Sequence, residues 1–315
     1  MNSFLGRDSM KLAKVKYSQK REDFGIKGIF QKLPAFLLDW YILRYHAFDI
    51  APVQLAQAEG YTVLLYQPPK EKQKLKQKKN LENLLLFLQQ KEVDILLTEN
   101  EMFLPHIISI ATGKMINSLF VMEAVKKALK RQQKTLQESH FLLIDGGNFL
   151  TQTVLDTIYP HINYLCVYTD RQEDFAQKAE EIYEEYGLRI QFFSGEKNKQ
   201  FSEANVILNC GCDMENYDYR LQKNAFYFDI AQNKQKLRRL RSRRNDLFFC
   251  DGLLLKWDNK TYLSKEIEAI LRVREPSVHH FLCSRYDKAS AFEITHLLHE
   301  KKINVTGFTC FEKRV

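Results

Sequence analysis

No stretch of this 315-residue chain approaches the roughly 20 consecutive apolar residues that a helix needs to cross a bilayer. The start, Met1 to Asp8, is interrupted by charge before a signal-peptide apolar core can form. These two absences predict a cytoplasmic protein with no membrane segment. Cysteine is sparse: Cys166, Cys210, Cys212, Cys250, Cys283 and Cys310 lack the regular spacing of a disulfide framework and sit mostly in apolar runs, so reduced and mostly buried thiols are expected. Internal repeats and low-complexity linkers are also missing. What is present is 45% apolar and 12% aromatic residues, enough for sizeable cores in two domains or one large one.

The net charge is +8, and it is concentrated. Lys70 to Lys79 holds six lysines in ten residues, and Lys234 to Arg244 holds seven basic residues in eleven. Such runs repel themselves and read first as solvated faces. The second run also suits an acidic or phosphate-bearing partner, because Arg forks pair carboxylate and phosphate. The absence of an aromatic-rich reader motif argues against nucleic acid.

Periodicity divides the chain. Residues 1–30 are polar and basic and read as a lead-in. Residues 31–112 read as a small α/β domain: strands over Trp40 to Tyr45, Tyr61 to Tyr66 and Val93 to Leu97, a short helix over Val53 to Glu59, and a helix carrying Leu81, Leu84, Leu85 and Leu88. Pro68 and Pro69 stop the second strand. Residues 113–135 read as a linking helix with Ile116, Leu119, Phe120, Val125 and Leu129 on one face.

From 136 to 258 the pattern is that of a Rossmann-like, mostly parallel sheet. Strands at His140 to Asp145, Tyr164 to Tyr168, Leu188 to Phe193, Asn205 to Asn209, Ala225 to Asp229 and Asp246 to Asp251 alternate with amphipathic helices, one of them with the stripe Phe175, Ala179, Ile182, Tyr183 and Tyr186. In residues 259–315, Tyr262 to Leu271 and Ala289 to Lys301 read as helices, and Ile303 to Cys310 as a last strand. A C-terminal helix bracing the first domain is expected.

The first strand of the sheet runs into Gly146-Gly147-Asn148 and then a helix, where Rossmann folds seat a dinucleotide pyrophosphate on backbone N–H groups. Of the three glycines of that fingerprint only Gly146 is present; Asn148 and Thr151 stand at the other two positions. The turn therefore reads either as a cofactor seat for NADP or NAD or as a plain strand-to-helix turn. Asp170 falls where such folds bond a ribose hydroxyl, with Arg171 beside it for a 2′-phosphate, and Asp170 with Glu173 equally reads as a helix-capping pair. Asn209, Cys210 and Gly211 end the fourth strand, on the nicotinamide side of these folds. Cys210-x-Cys212 lacks a second spaced pair, and His296 and His299 lie in no HExxH pattern, so no metal is expected. Cys283 reads as a buried thiol, and no catalytic residue is identified.

Leu143 to Gly147, Val167 to Arg171 and Val206 to Gly211, in this order of elements, resemble the shikimate dehydrogenase and glutamyl-tRNA reductase group of NAD(P)-binding proteins. The resemblance covers the layout of about residues 40 to 300. It implies a glycine loop at Gly146 and Gly147, a cofactor-selecting turn at Asp170 and Arg171, and an interdomain cleft for a small carbonyl or hydroxyl substrate. The chain departs from the group in having no counterpart of its catalytic Lys–Asp pair, and Asn304-Val-Thr306 echoes a motif of shikimate dehydrogenases at the wrong end of the chain. Three functions follow as expectations: an NAD(P)-dependent oxidoreductase, a Rossmann-like nucleotide-binding or regulatory protein without hydride chemistry, and a partner-binding scaffold using the arginine run.

Overall fold

The structure, a computed structural model, describes residues 10–24, 26, 32–55, 58–67, 74–98, 108–195, 199–211, 220–283 and 286–315. Pro68, Pro69, Cys212 and the start of the lysine run lie outside these residues, as does the Cys283 side chain. The chain divides into two compact units, Met1–Thr112 with Glu268–His279, and Gly113–Ile267 with His280–Val315.

Unit 1 is built on a five-stranded sheet ordered β2-β3-β1-β4-β5. Its elements are β1 (Lys11–Ser18), α1 (Ala35–Tyr45), β2 (Phe48–Leu55), β3 (Ala58–Tyr66), α2 (Lys74–Gln90), β4 (Val93–Thr98) and β5 (Ser109–Ile110). Strands β3 and β4 and the stripe Leu81, Leu84, Leu85 and Leu88 of α2 stand where the periodicity puts them. Three other expectations are corrected.

Lys11–Ser18, expected within a lead-in, is the central strand, parallel to β3 and β4; Leu12 and Ala13 are buried side by side and the lysines at 11, 14 and 16 are spaced irregularly, so no period of two marks it. Trp40 to Tyr45, expected as a strand, is the second half of α1. Leu38, Ile42 and Leu43 are buried at helical spacing while Phe36 and Trp40 are exposed, so the helix is apolar all round and shows no stripe. Of the segment Val53 to Glu59, expected as a helix, residues 53–55 end β2 and Ala58 and Glu59 open β3, its antiparallel partner; Pro52 is tolerated because β2 is an edge strand. Beneath α1 a buried polar knot ties the unit together: Asp39 accepts from Arg21 at 2.7 Å and from the Tyr66 hydroxyl at 2.5 Å.

Unit 2 opens with α3 (Lys114–Leu119) and α4 (Val121–Arg131), which meet at Phe120 where one continuous linking helix was expected. Its sheet holds β6 (His140–Ile144), β7 (Tyr164–Tyr168), β8 (Ile190–Phe193), β9 (Val206–Asn209), β10 (Phe226–Asp229) and β11 (Phe248–Cys250). All pairings are parallel and the order is β11-β10-β9-β6-β7-β8. Counted from β6, this is the doubly wound Rossmann order 3-2-1-4-5-6. Helices α5 (Phe149–Ile158), α6 (Ala176–Tyr186), α7 (Gln200–Glu203) and α8 (Lys234–Arg243) make the crossovers, with Ile182 buried in α6 but Tyr183 and Tyr186 exposed, contrary to the expected stripe.

The rest of the chain differs more. β12 (Gly252–Trp257) and β13 (Lys260–Leu263) precede α9 (Ser264–Arg274), so the helix expected from Tyr262 starts two residues later, after a strand. Then come α10 (Pro276–Cys283), α11 (Lys288–Glu300), β14 (Asn304–Cys310) and β15 (Lys313–Arg314). The strands form an antiparallel sheet ordered β13-β12-β14-β15; β14 and α11 stand where Ile303 to Cys310 and Ala289 to Lys301 were expected, whereas β12, β13 and β15 were not anticipated. The α/β class with mostly parallel sheets stands as expected. Among the described residues no helix is long and apolar enough to cross a membrane.

Candidate functional site

The strand order reverses between β6 and β9, and a crevice at the carboxyl ends of the strands follows from that reversal. Here the chain leaving β9 is drawn against the turn after β6: Cys210 donates its N–H to the Ile144 carbonyl at 3.0 Å. A Cβ at residue 146 would lie 2.0 Å from the Cys210 carbonyl oxygen, so only glycine fits. Gly147 follows with φ of 67°. Asn148 then caps α5, accepting the Leu150 N–H at 3.0 Å, and the Thr151 hydroxyl accepts the Gly146 N–H at 3.0 Å.

Asp145 is the hub of the turn. Its carboxylate accepts from the Gly147 N–H at 2.8 Å, the Thr169 hydroxyl at 2.8 Å and the Arg171 guanidinium at 2.7 Å. Burial pushes its carboxyl up, but these three partners outweigh burial and hold it below the usual carboxylate value. The same contact raises the already basic Arg171, which also lies 3.3 Å from Asp174.

Beside this turn lies a cavity of about 440 Å³, within the range of small-molecule sites. The turn contributes Gly147 and Asn148, α5 contributes Phe149 and Gln152, and three cations line it: Arg171, Lys178 and Lys288. Lys178 pairs with Asp156 at 2.8 Å, and Lys288 donates to the Tyr159 hydroxyl at 2.9 Å, the contact that raises the lysine. Tyr286 donates to Asp156 at 2.6 Å; burial first, and then that carboxylate, raise the phenol.

A second polar cluster sits at the ends of β9 and β10. The Asn209 amide donates to Asp229 at 2.6 Å and to the Gly211 carbonyl at 3.0 Å, and its oxygen accepts from Lys236 at 3.3 Å. All three side chains are buried, and burial pushes the Asp229 carboxyl up to about 6 against the pull of Asn209 and Lys236.

The structure thus sorts the expected site residues into groups. Gly146, Gly147, Asn148 and Arg171 come together around Asp145. Asn209 and Gly211 belong to the buried cluster, and Cys210 meets the turn through its carbonyl while its side chain is buried. Asp170 is exposed; the capping role read for it is corrected, since Arg171 occupies the N-cap of the short helical turn Gln172–Phe175 with no side-chain cap. Asp145, Thr169, Lys178, Lys288, Asp229 and Lys236 were not anticipated. The one signal in their favour was local: Asp145 directly precedes the glycines, and Lys236 shares a helical face with Leu237 and Leu240. Among the described residues no group of three His, Cys, Asp or Glu side chains is arranged to hold a metal.

No protein-family model matches the chain, and no curated protein matches it in sequence. Solved structures do resemble it at low identity. A shikimate 5-dehydrogenase from Listeria monocytogenes, in complex with shikimate and NAD, aligns at 8% identity over 93% of this chain and 99% of its own, with a TM-score of 0.35. A shikimate dehydrogenase in complex with NADP+ aligns at 10% identity over 93% and 97%, with a TM-score of 0.36. An L-tryptophan dehydrogenase from Nostoc punctiforme aligns at 12% identity over 93% and 80%, with a TM-score of 0.37.

Proposed function

We propose that the turn Gly146-Gly147-Asn148 and the neighbouring cavity take a nicotinamide dinucleotide, NADP or NAD, and that the protein is an oxidoreductase acting on a small carbonyl or hydroxyl compound. One observation carries this reading. At the point where the parallel strand order reverses, the chain makes a turn whose first residue, Gly146, has room only for glycine, and that turn opens on a cavity in which Arg171, Lys178 and Lys288 stand among Asp145, Asp156 and Asp174. In the reading, Arg171 meets a 2′-phosphate or ribose edge, and the turn's N–H groups face the pyrophosphate. A bound nicotinamide supplies hydride transfer; these residues bind and orient. Because Asp145 already accepts from Gly147 and Arg171, an incoming phosphate competes with that carboxylate for both donors.

Asn148 and Thr151 at two of the three glycine positions, together with the lack of a catalytic Lys–Asp pair, favour a second reading, a nucleotide-binding or regulatory protein without hydride chemistry. Thermal unfolding with NAD, NADH, NADP and NADPH in turn tests the site, since a ligand at 100 times its Kd adds about 2.7 kcal/mol. Stabilisation by at least one of the four is expected, with Arg171→Ala erasing any preference for the phosphorylated pair. A flat response to all four overturns the oxidoreductase reading. Stabilisation without consumption of NADPH or NADH against a panel of aldehydes and ketones selects the second.

A further inference from the structure

Helix α8 carries no acidic residue among its ten. Leu237, Leu240 and Lys236 are buried beneath it, which leaves Lys234, Arg238, Arg241 and Arg243 exposed and Arg239 half-buried. The tertiary structure extends this face with cations from far away in sequence. The Arg241 guanidinium donates to the Cys310 sulfur at 3.7 Å at the end of β14, and Arg238 lies 5.7 Å from the centre of the Phe311 ring. Cys310 pairs across the sheet with Lys313, and Thr309 with Arg314, both exposed on β15. On the far side of β15, Arg131 at the end of α4 donates to the Val315 carbonyl at 3.4 Å while stacking 5.0 Å over Phe308, and Lys130 beside it is exposed. The acids nearby are engaged: Glu312 pairs with Lys265 at 2.9 Å and with Lys234 of the same face at 4.0 Å, and Asp246 with Arg244 at 2.8 Å.

We infer that this belt, running from α8 across β15 to the end of α4, is a docking surface for the phosphate backbone of double-stranded nucleic acid. It is rich in arginine, whose fork suits phosphate oxygens. The aromatic rings in the belt, Phe248, Phe308 and Phe311, are buried or half-buried under cations, so no platform for stacking unpaired bases is offered. The lack of a reader motif in the sequence therefore argues against base-specific and single-strand recognition, and leaves sequence-independent contact with a duplex.

Fluorescence anisotropy of the full chain with a labelled mixed-sequence DNA duplex tests this over a salt series from about 50 mM to 200 mM. Binding is expected to weaken with salt, log K falling by about 0.9 per phosphate contacted for each unit of log salt concentration. The combined variant Arg238→Ser, Arg241→Ser, Lys313→Ser and Arg314→Ser is expected to lose tenfold or more and to show a slope shallower by about 3. Arg238 and Arg241 also touch Phe311 and Cys310, so the melting temperature is measured alongside to separate a loss of fold from a loss of binding; the pair Lys313→Ser with Arg314→Ser, on exposed β15, and the pair Arg238→Ser with Arg241→Ser serve as milder versions. Arg189→Ser, exposed before β8 at the opposite edge of the parallel sheet and outside the cavity lining, is expected to leave duplex binding unchanged. Absence of binding at the lowest salt, equal affinity and slope for the single strand, complete competition by polyglutamate at equal charge concentration, or unchanged binding by the belt variants each overturns the inference.

Discussion

At the scale of single residues, the turn after β6 depends on what two glycines permit. Gly146 has no room for a Cβ against the backbone of residue 210, whereas a Cβ at Gly147 would meet only the movable end of Arg171, at 3.3 Å. Gly146→Ala must push two backbone segments apart and should cost about 3 kcal/mol or more, read as a lower urea midpoint at unchanged slope. Gly147→Ala pays mainly for its left-handed backbone, about 1 to 2 kcal/mol. A Gly146→Ala variant as stable as Gly147→Ala would show that the Cys210 contact is not formed.

Asp229 is the clearest titrating group. Burial raises its carboxyl to about 6, above the unfolded value near 3.9. Between those values the folded chain keeps a proton that the unfolded chain has released. The stability tied to this group is therefore complete below about pH 4 and is lost as the pH rises through about 6, a decline on the order of 3 kcal/mol. Asp229→Asn should flatten that part of the stability profile, measured by denaturant unfolding at half-unit pH steps.

At the scale of elements, three helices of unit 2 start on a side chain that accepts a backbone N–H: Asn148 for α5, Asn233 for α8 and Asp287 for α11. For α5 the cap also holds the chain entering the cavity. Asn148→Ala should cost about 1 kcal/mol in unfolding free energy, and nucleotide-induced stabilisation should fall with it if the turn is the seat of the ligand. Elements differ in how readable they are. The strands of the parallel sheet are short apolar runs between amphipathic helices, and all six stand where periodicity put them, because burial on both faces leaves an unbroken apolar signal. The helix α1 and the strand β1 were misread for opposite reasons: α1 has too many apolar residues to show a stripe, and in β1 the lysines at 11, 14 and 16 fall irregularly around the adjacent buried Leu12 and Ala13, so no alternation shows.

At the scale of the whole molecule, the strand order is what converts a list of elements into a candidate site. The sequence contains Gly146, Arg171 and Cys210, separated by tens of residues. Only the placement of β9 beside β6, and of β7 on the other side, brings the Cys210 carbonyl and the Arg171 guanidinium onto one turn. The same holds for the basic surface of unit 2. The arginine run was visible as a run, but its continuation through Lys313, Arg314 and Arg131 depends on β14 and β15 folding back between α8 and α4.

By itself, then, the sequence determined the alternation of strands and helices over residues 140 to 250, the parallel α/β class and the glycine turn, because each of these is written in spacings of two to four residues. The tertiary structure alone decided that Asp145 takes the Arg171 guanidinium, that Lys236 is buried against Asn209 while the other cations of the run are not, and that Arg241 meets Cys310 and Arg131 the Val315 carbonyl. Those outcomes depend on contacts between residues from 20 to more than 180 positions apart, and no local periodicity records them.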